Sequence, residues 1–120
     1  MPAYNFNSRF VSAIKSGKRV QTIRPNRKRN PRKGETLTLY TGQRTKQCEK
    51  ILTVVCVEVL PVELEAGFKM KLNGKSLNFL EQQKIADADG FVNLYAFYNW
   101  FIEHYGLPFS GVMIKWRRSE

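Results

Sequence analysis

The sequence predicts an α+β fold, a small and mostly antiparallel β-barrel of five to seven strands with about three flanking helices. Three observations lead there. The middle of the chain is rich in β-branched residues, above all "ILTVVCVEVLPVEL" at 51–64. Apolar residues recur at helical spacing early in the chain and again between 77 and 106. Asn73-Gly74 lies inside "FKMKLNGKSL", which alternates apolar and basic residues, and is the strongest short hairpin signal. An open sheet with helices on one face is the competing architecture. At 120 residues, 42% hydrophobic and 25% charged, residues 1–120 read as one globular domain.

The elements follow in order. "NSRFVSAIKSG" predicts a short helix, capped by Asn7 or Ser8, with Phe10 and Ile14 on one face and Gly17 as its stop. A strand over Val20–Arg24 follows, ended by Pro25. Val20 and Ile23 serve a core together only if a bulge or twist falls near Thr22. "NRKRNPRKGE" is a basic loop with Pro31 and Gly34 as turn residues. "TLTLYTG" alternates as a strand, and "QRTKQCEK" is a second basic connection. The β-branched run is expected to be interrupted at Pro61. "LNFLEQQKIADADG" then predicts a helix with Phe79 or Leu80 and Ile85 facing one side. "NLYAFYNWFIEHYG" predicts another, capped by Asn93, and "GVMIKW" a terminal strand.

Charge points to function. The formal net charge is +10, and residues 8–50 hold thirteen Lys/Arg against two acids, while residues 51–120 hold seven against eight. A positive field concentrated in one stretch attracts polyanions, so RNA or a nucleotide is the expected partner. Arg27, Lys28, Arg29, Arg32 and Lys33 are the first phosphate-contact candidates, extended by Arg44 and Lys46. Tyr40 and Tyr4 could stack on unpaired bases. Thr22 and Arg24 share a strand face, where a hydroxyl beside a planar guanidinium suits a phosphate or carbonyl oxygen. Lys18 and Arg19 approach the same strand from the end of the first helix. The only clustered acids, Asp87 and Asp89 in "IADADGF", favour a turn before Gly90, although Asp89 could also work as an acid or base. His104 is expected to be a solvated helix residue.

Two cysteines and one histidine supply too few ligands for a structural metal site, and no cofactor is expected. Cys56 sits in the apolar run as a small core residue. "MPAYNFNSRF" has no apolar h-region and no apolar run spans a bilayer, so a cytoplasmic protein away from membranes is expected. The oligomeric state is left open.

"AIKSGKRVQTIR" resembles the signature of the ASCH domain, in which a short helix ends at a glycine and enters a basic-Thr-apolar-Arg strand. "GETLTLYTGQRTKQCEKI", "IADADGFVNLYAFYNWFIEHYG" and "GVMIKW" are similar to later segments of that family, in the same order. The resemblance implies a PUA-like barrel whose cleft presents the signature strand, an association with RNA, and occurrence in phages and prophages. One branch of the family is a hydrolase that removes the acetyl group from N4-acetylcytidine with a lysine, a threonine and a glutamate. Carried over without gaps, the threonine falls on Thr22, the acid on Asp89 and the lysine on Arg19, with Lys18 one position earlier. Arginine stays protonated, so Lys18 is the candidate base, Thr22 the nucleophile or water-positioner, and Asp89 the acid/base partner. An RNA- or nucleotide-binding module is the main expectation, and a hydrolase of a modified nucleoside or of RNA the alternative.

Overall fold

The computed structural model describes residues 2–119. Its elements are β1 (Ala3–Phe6), a 3-10 turn (Ser8–Phe10), α1 (Val11–Ser16), β2 (Gln21–Pro25), β3 (Thr36–Thr41), β4 (Glu49–Glu65), β5 (Lys69–Leu72), β6 (Lys75–Ser76), α2 (Phe79–Ala88), α3 (Leu94–His104) and β7 (Phe109–Arg118). This is the α+β class expected, with seven strands in one sheet and three α-helices. The strand path runs β1-β3-β4-β5-β6 without closing on itself, and β7 pairs with both β2 and β4. β1 lies parallel to β3, whereas β3/β4, β4/β5 and β5/β6 are antiparallel.

The chain forms two compact units. The first comprises Met1–Gln21, Pro31–Val59 and Ile114–Glu120, and the second Thr22–Asn30 and Leu60–Met113. Tyr4, Ile14, Leu37, Leu39, Val54 and Ile114 are the largest fully buried side chains of the first. Its edge is a strand that sequence periodicity did not find. Four residues are too few to show alternation, yet "AYNF" buries Tyr4 and Phe6 and pairs in register from Ala3↔Thr38 to Phe6↔Thr41. The Thr41 hydroxyl closes this ladder by donating to the Phe6 carbonyl at 2.8 Å.

The second unit has its own core, built from Ile23, Val62, Leu64, Met70, Ala86, Leu94, Phe97, Tyr98, Phe101, Phe109 and Met113. Asn73-Gly74 turns the β5–β6 hairpin with φ of 54° and 82°, the double positive dihedral of a type I′ turn. β4 does not break at Pro61. The proline lies at an exposed position and still uses its carbonyl, which accepts from the Asn73 N–H at 2.8 Å, so only the missing donor is lost. α3 buries Leu94, Phe97, Tyr98 and Phe101 and is capped by the Asn93 side chain as expected.

The expected apolar face of α2 holds at Ile85, which is half-buried against this core, and is corrected at the start of the helix. Phe79 is 59% and Leu80 71% exposed, and the helix instead buries Gln82 and Ala86. A capping box between Asn78 and Glu81 fixes where the helix starts. Gln82 is tolerated there because its amide is saturated: Nε2 donates to the Phe68 and Leu77 carbonyls at 2.9 and 3.1 Å, and Oε1 accepts from the Tyr98 hydroxyl at 2.7 Å.

Burial pushes the Tyr98 phenol up from 10 to about 12. A folded-state value above the unfolded one means full stability below pH 10 and loss of stability as pH rises from 10 towards 12, because only the unfolded chain ionises there. Tyr98→Phe is expected to cost about 1 kcal/mol at neutral pH, from the orphaned Gln82 oxygen. That deficit should shrink above pH 10. Urea unfolding of both proteins on either side of pH 10 checks it, and a constant deficit would contradict the buried phenol.

Candidate nucleic-acid interface

In the first unit, Gly17 stops α1 in the left-handed region at φ 85°, and the next residues lead to β2. Lys18 is exposed. Arg19 is buried, at 6% exposure, and its guanidinium lies over the rings of Phe6 (5.0 Å) and Phe10 (4.4 Å). Its Nε donates to the Gln21 carbonyl at 3.0 Å. Two aromatic faces and a backbone acceptor hold the charge away from water, so Arg19 differs from every other cation proposed for phosphate contact. Val20, expected to serve the core, is 41% exposed, and the strand begins one residue later. Gln21 is 5% exposed, and its Nε2 makes no hydrogen bond among the described residues.

In the second unit, Gln21's successor Thr22 is 2% exposed. Arg24, two positions on and half-buried, donates from Nε to Thr22 Oγ1 at 3.0 Å. The shared strand face expected for the pair is therefore real, and the guanidinium engages the hydroxyl. Asp89 is 3% exposed and sits at the C-terminal cap of α2, where its N–H bonds to the Ile85 carbonyl at 2.9 Å before Gly90 at φ 92°. The turn expected at this point forms, but its carboxylate is buried, whereas Asp87 is exposed. Of the three residues expected to carry catalysis, Thr22 and Asp89 belong to this unit and Lys18 to the other.

The remaining cations are solvent-facing. Arg27, Lys28 and Arg29 are exposed in the loop after β2. That loop is fastened by Asn30, whose Oδ1 accepts from the Arg27 N–H and whose Nδ2 donates to Asn26 Oδ1, both at 3.0 Å. In the first unit, Arg32 and Lys33 are exposed in a turn that Glu35 closes by accepting from the Arg32 N–H at 3.0 Å. Arg44 and Lys46 are exposed in the β3–β4 connection, which the Thr45 hydroxyl pins to the Gly42 carbonyl at 2.6 Å. Tyr40 is half-buried, but Tyr4 is 1% exposed and offers no face for stacking. The first unit carries twelve Lys/Arg against four acids, and the second eight against six. His104 is exposed and stacks on Trp100 at 4.0 Å.

Both cysteines are free thiols, Cys48 exposed and Cys56 buried. Burial pushes the Cys56 thiol up, the nearby Glu35 charge adds to this, and a hydrogen bond to the Glu58 carbonyl works against it. Among the described residues no three His, Cys, Asp or Glu side chains gather in a group able to hold a metal ion, and no helix is long and apolar enough to cross a membrane. No family model, curated protein or solved structure matches the chain. Sequence reasoning passed over Gln21 and Gln82. Both are polar residues buried inside elements, and a glutamine in a strand or helix gives no pattern by which its burial shows.

Proposed function

We propose that the chain binds RNA or a nucleotide through the exposed cations of its basic connections, with the Lys18–Arg24 stretch contributing to the same activity. One observation supports this above the others: Arg27, Lys28, Arg29, Arg32, Lys33, Arg44 and Lys46 all face solvent, on loops fixed by their own side-chain hydrogen bonds. Cations on ordered loops meet a phosphate chain at little entropic cost. The ASCH-like signature around Thr22 fits the same reading.

Binding is favoured over hydrolysis by the Thr22 hydroxyl itself. An oxygen that accepts a hydrogen bond from a guanidinium has less electron density with which to attack, and a guanidinium does not take the proton away. A hydroxyl 2% exposed and held in this way also has little access to a substrate.

Titration of single-stranded RNA against the protein at several salt concentrations tests the proposal. Each phosphate neutralised adds about 0.7 to the slope of log affinity against log salt, so four contacts give a slope near −3. Salt-independent binding, or none at low salt, would overturn the proposal. N4-acetylcytidine incubated with the protein is expected to stay intact. Deacetylation that Thr22→Ala abolishes would put the hydrolase in its place.

A further inference from the structure

We infer that the β4–β5 turn of the second unit carries a stacking site for an unpaired nucleobase, distinct from the basic connections. The site rests on the proposed nucleic-acid binding and narrows it to single strands.

Phe68 is the starting point. It is 41% exposed and holds φ at 58°, directly after Gly67 at 84°. A bulky side chain in the left-handed region is strained, and such strain persists only where the surroundings over-determine it. Here they do. The Phe68 carbonyl accepts from Gln82 Nε2 at 2.9 Å, Gln82 is locked in turn by the Tyr98 hydroxyl, and the Phe68 ring meets the Tyr98 ring edge-on at 5.1 Å. A buried polar network therefore holds an aromatic ring partly out in solvent, in a conformation the chain avoids when left alone.

A second ring waits beside it. Tyr95, 66% exposed in the first turn of α3, lies 6.4 Å from Phe68 at 35°. Phe68 also borders a pocket of about 220 Å³ lined by Leu77 and by the charged pairs of the β4–β5 ladder. These are Glu63 opposite Lys71 and Glu65 opposite Lys69. Carboxylates and ammoniums alternating around an aromatic wall match a ligand with a π-face and with both donors and acceptors on its edge. A nucleobase has all three, and Lys69 and Lys71, both in the lining, supply cations for its phosphate. A purely aliphatic or uniformly anionic ligand would leave the carboxylates or the rings unused.

The test compares a short oligouridylate, whose bases stack weakly on each other, with an abasic strand of equal length. The intact protein is expected to prefer the base-bearing strand by about tenfold. Phe68→Gly removes the ring while suiting the positive φ, and Tyr95→Ala removes an exposed ring at little risk to the fold. Each is expected to reduce the preference towards one while leaving the salt slope unchanged. If Phe68→Gly fails to fold, Tyr95→Ala decides alone. Equal affinity of the intact protein for the two strands, or a preference that survives both substitutions, would overturn the stacking site and leave phosphate binding standing. Binding of neither strand at low salt would overturn both.

Discussion

Gly111→Ala is expected to destabilise the protein by ~3 kcal/mol, the upper part of the usual range for overpacking. In a domain of this size that lowers Tm by about 10 °C. Gly111 is buried in β7, and a Cβ built on it would overlap the Arg24 carbonyl oxygen and stand 2.8 Å from the Phe109 ring. The ring could turn aside. The carbonyl belongs to the backbone of β2, which pairs with β7, so it moves only if the strand moves. Such a shift would also displace Arg24 from Thr22, whose hydroxyl it holds at 3.0 Å. Thermal unfolding measures the first effect. An unchanged Tm would mean that the two strands do not approach this closely.

The triple substitution of Arg27, Lys28 and Arg29 by alanine is expected to have the largest effect on binding. Three cations fewer reduce the salt slope by about 2, which corresponds to about a hundredfold weaker binding of single-stranded RNA near 0.1 M salt. The difference should vanish as salt approaches 1 M. All three side chains are exposed, so the substitution leaves both cores untouched. The bonds from Asn30 to the backbone N–H at position 27 and to Asn26 do not involve the deleted groups. A slope unchanged by the substitution would place the phosphate contacts elsewhere on the chain.

What could be read from the sequence was whatever local chemistry decides. The Asn73-Gly74 hairpin and the Asn93 cap of α3 depend on a few neighbouring residues and came out as expected. Features set by distant parts of the chain did not. β1 exists because β3 lies beside it, thirty-five positions away at the Ala3↔Thr38 pair. The inward side of α2 is chosen by a polar residue, Gln82, whose three partners come from α3, the β4–β5 turn and the link before α2, so counting apolar residues picked Phe79 and Leu80 instead. Around the signature strand, residue types were informative but exposure was not. Lys18 and Arg19 are adjacent basic residues with nothing local to tell them apart. Only the positions of Phe6 and Phe10 determine that one is buried and the other bathed in water.

The two sulfhydryls sit at opposite extremes of accessibility, which gives the unmodified protein a built-in pair of probes. An electrophilic dye at neutral pH should attach at position 48, between Lys46 and Lys50, where a bound polyanion would quench or shield it. Cys56, shut inside and disinclined to ionise, becomes alkylated only in those moments when its surroundings come apart. Its slow modification is thus a clock for spontaneous opening, one that runs without any engineered label.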